Sequence, residues 1–368
     1  MARLYLMGLV MANALHPIPT PPHVSARAAI VMDARTGAVL YEKNAFVQKD
    51  PASVTKMMTA LLVIEAGHLN RVVTVSKQAA ATIGSSMHIR YRQQYTEMDL
   101  LRGLLMRSGN DASIALAEAE AGSVTRFVAQ MNIKAQELGA FNTAFENPNG
   151  LTAPGHYSTA YDLALIARAA MREPVFRRVV ATREDVIQEQ VSRSKRSISN
   201  TNQLLYGFPG ADGVKTGTTN AAGKCLVASA TRHGRQIIAV VLNSDNRFGD
   251  AARLLQWGFT HWNTDQVLAQ GEKVAQIPVK GGTVPDVGAR LAGPVWVTYP
   301  EGASYQVHIV RRHFVPAPVV KGTVVGRVIV TTMDQPPETE VLVAGRSVAR
   351  QPVRRPFWQW LTGFWRRH

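Results

Sequence analysis

The stretch Pro51-Ala-Ser-Val-Thr-Lys-Met-Met-Thr-Ala60 decides how the rest of this 368-residue chain is read. It sets Ser53 three residues ahead of Lys56 and runs straight into Met57, Met58, Leu61, Leu62, Val63 and Ile64. The pattern predicts a buried helix opened by Ser53, with Lys56 one turn further along the same face. A lysine so placed can take the hydroxyl proton if it is held neutral. The same spacing recurs in Ser192-Arg-Ser-Lys195, but that stretch is polar, no apolar helix follows it, and it reads as a solvated loop.

Two further motifs give the first one weight. Ser108-Gly-Asn110 falls between helical patterns at residues 96–107 and 111–121, where a turn projects both polar side chains. Lys215-Thr-Gly-Thr218 directly precedes an apolar run beginning at Gly223, which places it at a strand edge or entry. Each motif alone is weak. In this order, on a helix, a loop and a strand, they point to one site. Ser244-Asp-Asn246 has similar chemistry but follows Lys215, the wrong order for the middle motif.

Around the motifs, residues 28–42 read as a hairpin turning at 35–37, followed by the Ser53 helix and a β-prone run at 71–75. Helical periodicity continues at 124–139 and 159–171, and adjacent strands are expected at 223–231 and 236–242, with a helix at 250–262 packing back on them. Hairpin, then helices, then strands is an α+β order rather than a repeating βαβ one. Composition shifts near Thr264, after which short alternating runs punctuated by Gly and Pro predict a small all-β domain to about Arg350.

The two ends read differently. Residues 1–14 carry one arginine, a short apolar run and a small-x-small ending, the pattern of a secretory signal peptide, with a proline-rich linker at 15–27. At the other end Phe357, Trp358, Trp360, Leu361, Phe364 and Trp365 share one helical face, and Arg354, Arg355, Arg366 and Arg367 flank it. About eleven residues rise only about 16 Å, too little to cross a bilayer. The tail, residues 351–368, is therefore expected to lie in an anionic membrane surface.

Net charge is +15, with 46% hydrophobic and 18% charged residues, an ordinary globular balance with an anionic neighbour implied. No zinc finger, RNP-type run or lysine tract supports nucleic acid as that neighbour. Cys225 is the only cysteine and lies in an apolar run, so it reads as a buried strand thiol, and no cysteine pair exists for a disulfide. The ten histidines contain no H-E-x-x-H pair, and neither a metal nor a cofactor is expected.

Taken together, Ser53-x-x-Lys56, Ser108-Gly-Asn110 and Lys215-Thr-Gly217 resemble the penicillin-recognising serine enzymes. The S-G-N form is similar to that of the low-molecular-mass D-alanyl-D-alanine carboxypeptidases, and the similarity extends through Asn149-Gly-Leu-Thr-Ala-Pro-Gly-His156, Ser158-Thr-Ala-Tyr-Asp162, the β domain and the tail. It implies a β-lactamase/transpeptidase-like catalytic domain at 28–263, a sheet flanked by helices with a helical subdomain, then the all-β domain at 264–350. It also implies an exported enzyme on the outer face of the cytoplasmic membrane, acting on peptidoglycan stem peptides ending in D-Ala-D-Ala and acylated by β-lactams.

The same resemblance implies the residue roles. Ser53 attacks and is acylated, Lys56 is the base, Ser108 relays a proton to the leaving amine, and Asn110 holds the substrate amide or orients Lys56. Lys215 and Thr216 bind the terminal carboxylate, Gly217 lets the strand edge come close, and the N–H groups of Ser53 and Thr218 form an oxyanion hole. Two charges about 4 Å apart at an effective dielectric of 20 repel by about 4 kcal/mol, so Lys215 beside a buried Lys56 lowers its pKa. His156 and Asp162 read as a loop histidine and a helix-start aspartate rather than a catalytic pair. No glutamate has an asparagine four residues later, the pattern that rapid lactam deacylation uses, so efficient lactamase activity is disfavoured. Alternatives within this reading are a D,D-endopeptidase and a non-catalytic penicillin-binding sensor.

Overall fold

The computed structural model describes residues 5–10, 19–333 and 335–352. The tail helix expected at 357–368 lies outside them. Two compact units result, Pro17–Asn263 and a second that begins at Thr264 and includes the strand Tyr5–Val10.

The first unit is built on a five-stranded antiparallel sheet ordered Val39–Lys43, Ala28–Asp33, Arg235–Leu242, Gly223–Arg232, Ala211–Thr219. Its three inner strands read as near-continuous apolar runs because both faces are covered. Ala28, Ile30, Met32, Val227, Ile238 and Val240 face a core shared with Met57, Met58, Leu101 and Leu104. The alternate residues Ala29, Val31, Leu226, Ala228 and Val241 face Leu254, Leu255 and Trp257 of the helix Arg247–His261. Burying each large side chain contributes about 1.5–3 kcal/mol, so the two-sided core fixes the sheet firmly.

The helices stand close to the predicted positions: Lys56–Ala66, Glu97–Met106, Asn110–Ala121, Val124–Glu137 and Ala160–Ala170. Thr96, Ser123 and Thr159 cap three of the last four through their hydroxyls, and the remaining one, Asn110–Ala121, has Gly109 at its N-cap. Three details depart from expectation. Ser53 sits in a 3-10 turn, Ala52–Thr55, and the α-helix begins only at Lys56. The Lys215 motif, expected at a strand edge or entry ahead of the Gly223 strand, has a strand of its own there, the sheet's edge strand Ala211–Thr219. The last helix starts at Arg247, three residues earlier than its periodicity suggests, because the Asn246 side chain caps it at Gly249 N, 3.1 Å away.

The second unit is all-β. Among the described residues its main sheet has seven strands, with Gln306–Arg311, Val324–Thr331, Glu338–Ala344, Asp286–Leu291 and Lys273–Lys280 in successive register. Val287, Ala289, Val325, Val328 and Leu342 form its core. Tyr5–Val10, within the segment read as a leader, pairs with Gln306–Arg311 at one edge of this sheet. No described helix is long and apolar enough to cross a membrane.

The Ser244-Asp-Asn246 stretch has a structural role. Ser244 Oγ and Ser25 Oγ each donate to Asp250 Oδ2 at 2.7 Å, and Ala26 N donates to it at 3.0 Å. These bonds tie the approach to one central strand, the exit of another and the start of the last helix. Burial pushes the Asp250 pKa up, but the bonds from Ser244, Ser25 and Ala26 outweigh it and hold the group ionised below its ordinary range. Stability gained this way is present above the usual aspartate pKa and fades as pH falls through the depressed one. Asp250→Asn should therefore lose about 2 kcal/mol at neutral pH, with the deficit shrinking toward pH 3, measured by urea unfolding across pH.

Candidate active site

Three backbone positions at the three motifs adopt positive φ without being glycine: Ala52 (+49°) just before Ser53, Ser108 (+63°), and Val214 (+97°) just before Lys215. For a β-branched valine this conformation is especially unfavourable, and such positions cost about 1–3 kcal/mol each. Packing enforces them. Gly150, at φ +83°, lies so close that an added Cβ would stand 1.9 Å from Ala52 O, and a Cβ on Gly217 would stand 3.0 Å from Ser53 N. The nucleophile turn is thus held between a loop at 149–152 and the edge strand.

Lys56 is fully buried and its Nζ touches three oxygens: Ser53 Oγ at 2.8 Å, Asn110 Oδ1 at 2.7 Å and Asn149 O at 2.6 Å. The orientation assigned to the Asn110 amide follows from its other end, since Nδ2 donates to Ile83 O at 2.6 Å and that carbonyl can only accept. Asn149 O and Asn110 Oδ1 can likewise only accept. The three oxygens match either form: an ammonium donates to all three, and a neutral amine donates to the two carbonyl oxygens and accepts the Ser53 proton, so the desolvation of the site decides between them. Burial, first, and the Lys215 charge, second, hold the Lys56 pKa well below its ordinary value, opposed by Asp111.

On the opposite wall Lys215 is also buried, donates to Thr216 O at 2.9 Å, and has no carboxylate partner among the described residues. Burial and then the nearby Arg247 lower its pKa to about 7. Arg247 Nη1 donates to Gly217 O at 2.9 Å and Thr218 Oγ1 at 2.8 Å, and the Thr218 hydroxyl itself donates to Gly217 O at 2.7 Å. Thr216 Oγ1 lies 2.8 Å from Thr201 Oγ1. As the sheet's last strand, Ala211–Thr219 has one edge without a sheet partner among the described residues. Thr152 Oγ1 reaches Thr219 Oγ1 at 3.2 Å, linking the 149–152 loop to this wall.

Ser108 is buried at the turn between two helices, and its hydroxyl makes no hydrogen bond to a described residue. Next to Asn110, the buried Asp111 carboxylate accepts from Ser86 Oγ (2.6 Å), Met87 N (2.9 Å) and Ile89 N (3.2 Å), while Asn110 N donates to Ser85 O (2.7 Å). The loop 83–89 is therefore strapped to the same helix start that touches Lys56.

Sequence reasoning passed over Arg247, Asn149 and Asp111. Asn149 acts through its carbonyl, which any residue supplies, and Arg247 reaches the site only because the sheet folds its helix start beside the edge strand. His156 lies in a loop, as read, but is buried there. Its Nδ1 accepts from Glu146 N at 3.0 Å, and its Nε2–H reaches Thr55 Oγ1 at 2.9 Å, bracing the nucleophile turn. Burial lowers its pKa to about 4, so it is neutral. Asp162 accepts from Asn142 N and Thr143 Oγ1 and does not bond His156. Ser192 Oγ donates to Glu189 in an exposed turn, with no part in the site. Cys225 is buried, and burial raises its thiol pKa to about 11.

A serine bonded to a buried lysine, an S-x-N turn beside it and a K-T-G edge strand opposite define a serine acyl-transfer site of the penicillin-recognising class. Residues 16–246 match the D-alanyl-D-alanine carboxypeptidase family, and residues 262–350 match the C-terminal domain of penicillin-binding protein 5. The chain belongs to the D-alanyl-D-alanine carboxypeptidase family. It is 38% identical to D-alanyl-D-alanine carboxypeptidase DacC of Escherichia coli, covering 90% of this chain and 84% of that one. It is 34% identical to D-alanyl-D-alanine carboxypeptidase DacF of Bacillus subtilis, over 90% and 86%. Among solved structures, penicillin binding protein 5 from Haemophilus influenzae superposes with a TM-score of 0.80 at 31% identity, covering 90% of this chain and 99% of that one.

Gly150→Ala should push the Ala52 carbonyl and misplace Ser53. The expected result is β-lactam acylation slowed by about tenfold or more with the far-UV circular dichroism retained; an unchanged acylation rate would show that the turn tolerates the shift.

Proposed function

We propose that this chain is an exported serine-type D-Ala-D-Ala carboxypeptidase that removes the terminal D-alanine of peptidoglycan stem pentapeptides through an acyl-enzyme on Ser53. The observation that carries this reading is the placement of Lys56 Nζ 2.8 Å from Ser53 Oγ in a fully buried site with no carboxylate in contact among the described residues, where burial and the Lys215 charge hold its pKa well below the ordinary value. The Ser53 proton passes to Lys56 as Oγ bonds the carbonyl carbon between the two D-alanines. The oxyanion is held by the Ser53 and Thr218 N–H groups, each worth on the order of 3 kcal/mol in comparable sites. The proton then moves through Ser108 to the departing amine, the C–N bond breaks, and D-alanine leaves. A water repeats the sequence against the ester and frees Ser53.

Lys215, Thr216 and Thr218 bind the terminal carboxylate, and Arg247 joins them, supplying a permanent cation where Lys215 titrates near pH 7. Both polar ends of Asn110 are engaged by the protein, which favours its role in orienting Lys56 over contact with the substrate amide. Gly217 brings the edge strand against the Ser53 backbone. β-Lactams acylate the same serine.

We assign residues 1–14 to a signal peptide, 15–27 to a linker, 28–263 to the catalytic domain, 264–350 to the all-β domain and 351–368 to a tail on the anionic outer face of the cytoplasmic membrane. The arginines of the tail and its aromatic face support that assignment. No observation favours the endopeptidase or sensor alternatives over the carboxypeptidase.

Incubation with a peptide ending in D-Ala-D-Ala should release free D-alanine, and Ser53→Ala should abolish both release and β-lactam labelling. Labelling at Ser53 without D-alanine release would overturn the hydrolase reading in favour of a sensor. Arg247→Gln should raise KM by about tenfold or more with a smaller effect on kcat. Because Arg247 depresses Lys215, its removal should also move the alkaline limb of kcat/KM to higher pH.

A further inference from the structure

Away from the Ser53 cleft, a cavity of about 280 Å³ opens between the loop 86–95 and the hairpin formed by Glu184–Gln188 and Lys195–Ser199. The charged groups at its rim are Arg90, Lys195, Arg196 and His88, joined by Gln93 and Tyr95. None of the three cations forms an ion pair with a described carboxylate. Glu189, the carboxylate within the hairpin turn, is committed: Oε1 accepts from Gln94 N, and Oε2 accepts from Val191 N, Ser192 N and Ser192 Oγ. Asp185 is engaged by Arg102.

Two details show that the cavity lacks an anionic acceptor, its neutral hydroxyls being Ser194 and Tyr95. Arg196 Nη2 is buried yet has no hydrogen-bond partner, and a buried guanidinium N–H left without one is costly. Gln93 Oε1 already takes Arg90 N at 2.8 Å and the Tyr95 hydroxyl at 3.3 Å, so its free end is the Nε2 donor. Apart from those hydroxyls, the polar groups on offer are donors and cations. Arg92 and Arg193, exposed on the same two segments, add to the positive potential.

We propose that this cavity is a binding site for a phosphoryl group. Three permanent charges and a histidine exceed what one carboxylate needs, and guanidinium groups match phosphoryl oxygens bidentately. The volume exceeds that of phosphate alone and admits an esterified glycerol or polyol. Such a group is carried by a lipid headgroup, by a phosphodiester polymer or by free phosphate. The loop forming one wall is the one strapped to Asn110 and Asp111, so an occupant braces the segment behind the Lys56 contact. This anchor belongs to the catalytic unit and is independent of the tail.

The test is titration of the full-length protein with inorganic phosphate, glycerol 3-phosphate and glycerophosphoglycerol at fixed ionic strength, followed by calorimetry. Saturable binding is expected, weakened by about tenfold for each side chain removed in Lys195→Gln and Arg196→Gln. Arg90→Gln, on the exposed rim, should weaken it too, while Arg126→Gln, exposed on a distant helix, should not. The unliganded unfolding midpoint of each variant checks its fold. Diester binding as tight as monoester identifies a lipid or polymer source, and a preference for inorganic phosphate identifies the free ion. Equal binding by wild type and the pocket variants, an equal loss in Arg126→Gln, or tighter binding of glutarate than of phosphate would overturn the assignment.

Discussion

The contact on which the rest of this structure depends is the one between the buried Lys56 amine and its three oxygen neighbours. A lysine removed from water is stable only if its charge is matched or absent. Here no carboxylate touches it, and two of the three contacts are carbonyl-type acceptors. Burial and the Lys215 charge disfavour the protonated form, and the neutral amine can still pair with every neighbour by accepting from Ser53. Each neighbour comes from a different part of the chain: the turn at 52–55, the start of the helix Asn110–Ala121, and the loop at 149. The fold exists, at this point, to bring those three together around one nitrogen.

Backbone strain marks the same place. Ala52, Ser108 and Val214 hold positive φ angles at the three motifs, and the strain persists because Gly150 and Gly217 allow neighbouring chain to press against the nucleophile turn. The buried His156 braces the turn through Thr55 and, being neutral, adds no charge beside Lys56. A rigid turn keeps Ser53 at hydrogen-bonding distance from its base without rearrangement.

Charge is arranged with the same economy. Lys215 disfavours a proton on Lys56, and Arg247 disfavours one on Lys215; under the proposed function the two cations also receive the substrate carboxylate. In that proposal one set of charges both depresses the base and attracts the substrate. Asp111 opposes the effect and straps the loop 83–89 to the site, so the pKa of the base and the position of that wall are linked through one buried carboxylate.

Much of this was legible in the residues. The order of Ser53-x-x-Lys56, Ser108-Gly-Asn110 and Lys215-Thr-Gly217 identified the chemistry, and apolar periodicity located the helices and inner strands, because local spacing dictates which face a side chain takes. What the sequence could not determine was anything that depends on distance across the fold. Arg247 follows a motif that looks like a decoy, Asn149 acts through its backbone, and the edge-strand position of Lys215 needs four other strands to define it. His156 is the loop residue it was read as, but its burial was not legible because that comes from segments ten and a hundred residues away. Local pattern sets which groups are present; only tertiary packing decides which of them share one desolvated nitrogen.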